Sequence, residues 1–179
     1  MRARQLPLMR LYRREPLRAR IVDAASTTAG SHRRHDPIHG ELRVGTAQSI
    51  TLPYSIHSAI GGDHDGPNPG DLLAAALAGC LDSTFRIIAD RYAVELEDVS
   101  VSVRCEVDVR GTLCIDPQVS VGFNRIRVDL RVSAPKLPDP QLNMLVAATE
   151  HCCVILQTLK GGVPVELRVH RRCAAETPS

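Results

Sequence analysis

Apolar and polar residues alternate along two long segments in the middle of the chain. Every second residue from Val99 to Val109 is apolar, and its neighbours are polar. A period of two is typical of a strand with one buried face. After a turn around residues 111–117, a second alternating segment changes phase near Asn124. One extra residue at that point predicts a β-bulge and a sharply bent strand.

Two other stretches have helical patterns. Asn68-Pro69 supplies a helix start, and the run from Leu72 to Leu81 is apolar on every side. That pattern predicts a central helix that is buried all round in its first half and ends near Ala93. Three-to-four spacing of apolar residues from Leu142 to Leu159 predicts one helix or two in tandem.

Shorter alternating segments lie towards both ends. Residues 40–54 predict a hairpin that turns near Gly45-Thr46, and alternate apolar residues from Val163 to Val169 predict a last strand. The predicted order is β-β-α-β-β-α-α-β. This order favours an antiparallel α+β fold over a doubly wound one.

Composition indicates one domain of ordinary globular type, with 44% hydrophobic and 23% charged residues. Seven arginines and one acidic residue lie in the first 20 positions. We expect residues 1–36 to be a poorly ordered extension, 37–170 to be the folded domain and 171–179 to be a polar tail. The extension has the composition of a transit peptide, a nucleic-acid-binding arm or a solvated tail. No secretory signal or membrane span is expected, so we predict a cytoplasmic protein.

Six cysteines occur at spacings that match no disulfide scaffold, which indicates reduced thiols. Cys80 lies in the most apolar stretch, where a free cysteine is more often a packing residue than a nucleophile. Cys152 and Cys153 lie at the hinge of the second helical region, where a helix N-terminus would lower a thiol pKa. If both helical regions pack in one core, Cys80 and Cys152 face each other.

Three groups of residues resemble the OsmC/Ohr family, and they lie in the same order over about residues 40–170. They are Gly61-Gly62-x-x-x-Gly66-Pro67-Asn68-Pro69-x-x-Leu72 continuing to Gly79-Cys80, then Glu95-Leu96-Glu97-Asp98-Val99, then His151-Cys152-x-Val154-x-x-x-Leu159. The resemblance implies an intertwined homodimer in which antiparallel sheets wrap around a long buried central helix. It also implies reduction of organic hydroperoxides, with electrons from a dithiol reductant that is often a lipoylated protein.

The family pattern gives Cys80 the role of peroxidatic thiolate and Cys152 the role of resolving thiol. We expect no cofactor, no metal, and neither nucleic acid nor membrane as a partner. Members with strong peroxidase activity have a glutamate after the Asn-Pro pair, where this chain has Gly70. That glutamate orients an arginine onto the reactive sulfur, and Arg43 is our preferred candidate for it.

Two departures place the chain in a divergent OsmC-like branch. Without a fixed cation, burial would raise the pKa of Cys80 and leave little thiolate at neutral pH. Cys153 stands where the family usually has proline, and we expect it to face away and be structural. The alternative functions are a weakly active small-molecule-binding protein whose cysteines line an interfacial pocket, and a nucleic-acid or acidic-partner arm formed by residues 1–20.

Overall fold

The computed structural model describes residues 1–27, 36–46 and 48–170, which form an α+β fold with two antiparallel sheets. The elements, in chain order, are α1 (Arg2–Arg14), β1 (Ala25–Thr27), β2 (His39–Val44), β3 (Ile50–Ser55), α2 (Pro69–Arg91), β4 (Asp98–Val107), α3 (Val109–Thr112), β5 (Phe123–Ser133), α4 (Asp139–Cys152) and α5 (Val154–Gly161). Sheet A contains β1, β2 and β3, and sheet B contains β4 and β5.

Sheet B contains the predicted bulge. Cys105 pairs with Ile126 and Glu106 with Arg125, but Val107 pairs with Phe123, so Asn124 has no partner residue on β4. The bulge prediction at Asn124 is therefore confirmed. Its consequence is that Phe123 lies on the same face as Ile126, which is the face that packs on α2.

Helix α2 begins where the sequence predicted. The Asn68 side chain accepts hydrogen bonds from the backbone N–H groups of Gly70 and Asp71, and the Asp71 carboxylate accepts one from the Asn68 backbone N–H. This reciprocal capping satisfies the free donors at the start of the helix. The loop before it is held by Ser55, whose hydroxyl both donates to and accepts from the Gly66 backbone.

The core is aliphatic and lies between α2, sheet B and the two C-terminal helices. One cluster joins Phe85 and Ile88 of α2 to Val99 of β4 and Leu145 of α4. The expectation that the first half of α2 is buried all round is wrong for the single chain, because Ala75, Ala76 and Gly79 are exposed. No described element of the chain covers that face of small residues.

The second helical region is two helices in tandem, α4 and α5, which meet at an angle of 65°. The break is Cys153, whose backbone is extended with φ −75° and ψ 108°. By length and composition, α2 could cross a membrane, and so could α4 and α5 taken as one bent span. Five residues of α2 are buried in the core of the chain, namely Leu77, Leu81, Phe85, Ile88 and Ala89.

The N-terminal end of the described chain differs from expectation. Residues 2–14, expected to lack order, form α1, which is attached to the end of α2. The Met1 amine lies 3.3 Å from the Asp90 carboxylate, and Arg91 donates to the Gln5 side chain.

The predicted hairpin of β2 and β3 is confirmed. Residues 28–35 and 171–179 lie outside the described residues, so the expected limits of the extension and tail stay predictions.

The predicted last strand is absent from residues 162–170, which have no regular structure. Val163, Val165, Leu167 and Val169 are between 60% and 90% exposed. A strand needs a neighbour to accept and donate its backbone hydrogen bonds. Within the described residues no such neighbour lies beside this segment, although its alternating pattern is that of a strand with one buried face.

We predict that Leu145→Ala lowers the free energy of unfolding by about 2–5 kcal/mol, because it empties a fully buried leucine site between α2 and α4. Urea denaturation would measure the change. Leu113→Ala is the matched control, since Leu113 is 46% exposed and its truncation should cost about 0.5 kcal/mol or less. Equal losses in the two variants would contradict this description of the core.

Candidate thiol site

Two cysteines meet where α2 crosses the break between α4 and α5. The Cys153 thiol donates a hydrogen bond to the Cys80 sulfur, and the two Sγ atoms are 3.1 Å apart. Cys153 is fully buried, with 0% of its surface exposed, whereas Cys80 is partly exposed. Leu77 and Leu81 of α2 pack around the pair.

The expectation that Cys153 faces away is wrong, and the chain does not bring Cys152 to Cys80 in its place. Leu145, Thr149 and Cys153 are spaced four residues apart and are all buried, so they form one continuous stripe towards α2. Cys152 lies off that stripe and is exposed. The sequence contained this signal, because extending the Leu145–Thr149 spacing by four residues gives Cys153.

Hydrogen bonds make Cys80 more acidic than an ordinary thiol. Burial alone raises its pKa, but the backbone N–H of Ile155, the Cys153 thiol, the Thr84 hydroxyl and the backbone N–H of Val154 together lower the pKa below its usual value of 9.0. Val154 and Ile155 are the first two residues of α5, whose free N–H groups and dipole favour a negative charge. The expected rise in the pKa of Cys80 is therefore wrong in direction, because these hydrogen bonds, two of them from the start of α5, outweigh burial.

Cys153 has the opposite character. Its burial raises the pKa, and the hydrogen bond and charge of Cys80 raise it further, against a lowering by the backbone N–H groups of Leu156 and Ile155. Loss of a proton is therefore more favourable at Cys80 than at Cys153. Once Cys80 has lost its proton, the site consists of one thiolate and one thiol that donates to it.

The position of the missing glutamate is closed by neighbouring atoms. A Cβ added at Gly70 would lie 2.9 Å from Asn68 Oδ1 and 3.1 Å from Phe123 Cζ. The Asn68 oxygen caps α2, so it cannot move aside without losing its hydrogen bonds. Asp71 is committed to the same cap. Asp71 therefore does not take the place of the missing glutamate at the start of α2.

Arg43 does not approach Cys80 within the chain. It lies on β2, exposed, between Ser26 of β1 and Thr51 of β3. In the described ranges no helix packs extensively against sheet A. Arg33 and Arg34, which also precede the central helix, lie outside the described residues.

A groove of about 920 Å³ runs beside the start of α2. Its walls include Ile56 and Ile60 from the loop before the helix, and Val103, Cys105 and Phe123 from sheet B. The Cys105 thiol has a raised pKa because of burial and the nearby charge of Asp71, which makes it less reactive than an ordinary thiol. Among the described residues, no group of three His, Cys, Asp or Glu side chains is arranged to hold a metal ion.

Comparison with known proteins gives one family. The sequence model of the family described as "OsmC-like protein" matches residues 62–168, which is more than half of the chain. A search of curated proteins found no match.

Solved structures of similar fold cover most of the chain. An organic hydroperoxide resistance protein OsmC from Legionella pneumophila has 23% sequence identity and a TM-score of 0.56, over 79% of this chain and 90% of that one. A putative organic hydroperoxide resistance protein from Vibrio cholerae, with captopril in one active site, has 21% identity and a TM-score of 0.57, over 79% and 86%. An OsmC-like protein of unknown function from Vibrio cholerae has 13% identity and a TM-score of 0.59, over 78% and 94%.

We predict that Thr84→Val raises the pKa of Cys80, because the variant removes a hydroxyl that stabilises the thiolate. The alkylation rate of Cys80 by iodoacetamide, followed against pH by peptide mass spectrometry, reports this pKa. The rate falls as the pH drops through the pKa, so in the variant the fall should occur at higher pH. Thr84→Ser keeps a hydroxyl and should leave the profile near that of the native chain. A profile unchanged in the valine variant would exclude the contribution of Thr84.

Proposed function

Because the chain belongs to the OsmC-like protein family, we propose that it is a thiol peroxidase that reduces organic hydroperoxides with Cys80 as the attacking sulfur and Cys153 as its disulfide partner. Solved structures of the same fold include proteins named for organic hydroperoxide resistance. The observation that carries the proposal is the contact between a thiol of lowered pKa and a second thiol 3.1 Å away.

The oxidative half of the cycle needs only these two sulfurs and the peroxide. The Cys80 thiolate attacks one peroxide oxygen, the O–O bond breaks, and the alkoxide leaves as an alcohol after taking a proton from solvent. Cys80 becomes a sulfenic acid. The Cys153 sulfur then attacks the Cys80 sulfur, the S–O bond breaks, water leaves, and a disulfide forms.

The order of these steps follows from the shared environment of the pair. While Cys80 is a thiolate, its charge and hydrogen bond raise the pKa of Cys153. Oxidation of Cys80 to a neutral sulfenic acid removes that charge. The backbone N–H groups of Leu156 and Ile155 lower the pKa of Cys153, and after this oxidation the charge of Cys80 no longer opposes them. Cys153 thus becomes nucleophilic only after Cys80 has reacted.

The start of α5 takes the role of a fixed cation in this proposal. A helix N-terminus carries about half a positive charge, and two N–H groups hydrogen-bond a thiolate without a long side chain to be ordered. Arg43 is a second source of positive charge only if assembly brings sheet A of another copy to the site. Cys152, which the family resemblance made the resolving thiol, is assigned no redox role here.

We also propose that the protein works as a homodimer. The alternating apolar side chains of residues 163–169 are exposed in the single chain, and so are the small residues Ala75, Ala76 and Gly79 of α2. A Cβ added at Gly79 would meet nothing within 4 Å, so this face of α2 is open to close packing. A second copy of the chain would cover both surfaces and supply a neighbour for the extended segment.

The groove beside α2 favours a second candidate function, a small-molecule-binding protein. Its volume of about 920 Å³ is that of a site for a drug-sized ligand, and its walls are largely apolar. In that case the cysteines are part of the protein's packing. Ligand binding that survives Cys80→Ser, in a protein without peroxide turnover, would favour this second candidate.

We predict that Cys80→Ser abolishes consumption of cumene hydroperoxide and that Cys153→Ser supports a single turnover but no disulfide. Stopped-flow kinetics with the reduced protein would measure peroxide consumption, and peptide mass spectrometry would locate the products. The expected products are a Cys80–Cys153 disulfide in the native chain and a Cys80 sulfenic acid, trapped with dimedone, in Cys153→Ser.

Cys152→Ser is the matched control, one residue along the chain and exposed, and it should keep the native rate and disulfide. Full turnover in Cys80→Ser would rule out the proposal. A Cys80–Cys152 disulfide in the native chain would keep the peroxidase and overturn the choice of Cys153. A rate no faster than that of a free thiol would favour the binding protein.

We predict that the double variant Val165→Lys/Leu167→Lys is monomeric, because two charges on the apolar side of residues 163–169 cannot be buried without a large cost in desolvation. Analytical ultracentrifugation of the full chain would give the mass of each species. Glu166→Lys adds positive charge between the same two positions, on the polar side, and should stay dimeric. A native chain that sediments as a monomer would contradict the assembly.

A further inference from the structure

We infer that an external thiol reductant attacks the oxidised pair at the Cys80 sulfur, so that peroxide and reductant reach the site through the same opening. The inference rests on the proposed function, which supplies the disulfide between Cys80 and Cys153. It concerns which of the two sulfurs is attacked, and the difference in burial between the two cysteines decides this.

Cys153 is closed to solvent by the chain itself. Its exposed surface is 0%, and Leu77, Leu81 and the first residues of α5 pack around it. A second copy of the chain can only remove further surface and cannot uncover it. Cys80 must be open in the assembled protein, because a peroxide has to reach its sulfur, and it is partly exposed in the single chain.

Cys152 offers no indirect route to Cys153. It is exposed, so an external thiol can reach it. The Cα atoms of neighbouring residues are about 3.8 Å apart across a trans peptide, which is shorter than the 4.4–6.8 Å that disulfides usually span. A disulfide between these two residues would be strained. Electrons therefore do not pass from Cys152 to Cys153 by that bond.

The difference between the two leaving groups favours attack at Cys153 instead of Cys80. Its effect on the rate is smaller than that of the burial of Cys153. Attack at Cys80 expels Cys153, whose thiol pKa is raised and which is therefore the poorer leaving group. With a Brønsted coefficient of about 0.4–0.5, as for the attacking thiol, each pKa unit changes such a rate by about threefold. Attack at Cys153 needs α5 to open away from α2, and locally opened states of a packed core are a small fraction of the molecules.

The reductive half then balances as follows. One sulfur of an external dithiol, as a thiolate, bonds to Cys80 Sγ, the Cys80–Cys153 bond breaks, and Cys153 leaves as a thiolate that takes a proton. The second sulfur of the dithiol attacks the first, which releases the Cys80 thiolate and a cyclic disulfide. Two electrons pass from the dithiol to the protein.

The experiment locates the mixed disulfide that a monothiol forms. The full-length native protein is oxidised with diamide, so that the Cys80–Cys153 disulfide forms whether or not the protein is a peroxidase. Reduced glutathione is added, samples are quenched in acid within the first turnover, and pepsin digestion at low pH prevents thiol exchange. Mass spectrometry with peptide fragmentation then identifies the cysteine that carries glutathione.

We expect glutathione on Cys80, with Cys153 as a free thiol. The Cys152→Ser variant should be reduced within a factor of about two of the native rate, since an exposed surface thiol has no part in the step. Glutathione on Cys153, or a reduction at least tenfold slower in Cys152→Ser, overturns the inference. Failure of diamide to form the Cys80–Cys153 disulfide overturns both this inference and the pairing on which it rests. If diamide forms the disulfide but peroxide does not, the proposed peroxidase function is overturned. The site of attack by glutathione is still measured in that case.

Discussion

Packing of one face of α2 against the break between α4 and α5 is the contact on which the rest of the structure depends. It buries Leu77 and Leu81 and closes the smaller of the two core clusters. It also brings the first N–H groups of α5 to the Cys80 sulfur. The same contact therefore stabilises both the core and the thiolate form of Cys80. A change that loosens α5 would destabilise the fold and raise the pKa of Cys80 together.

Local signals in the sequence predicted much of the fold. Asn68-Pro69 specifies the start of α2 through the cap, because the side chain that satisfies the free N–H groups is next to them in sequence. The phase change at Asn124 specifies the bulge for the same reason. Each feature depends on neighbours within a few residues, so it can be recognised without knowing the tertiary structure.

Features that depend on distant contacts were harder to predict. The choice between Cys152 and Cys153 is a choice of phase on a helix, and the break at Cys153 made the phase ambiguous. The strand expected at residues 163–169 has the right pattern but lacks a neighbour among the residues that the structure describes. Helix α1 has no buried residue, and its attachment through Asp90 and Arg91 links residues almost ninety positions apart.

The close fit of Phe123 over Gly70 restricts how this sequence can change with time. Because of the bulge, the ring lies on the inner face and within reach of any side chain at position 70. A single substitution that restores a carboxylate there would meet both the ring and the capping oxygen of Asn68. A smaller residue at 123 would relieve only the contact with the ring, and on its own it leaves unfilled space above the start of α2. The absence of that carboxylate is therefore hard to reverse by successive single mutations, each of which has to be tolerated.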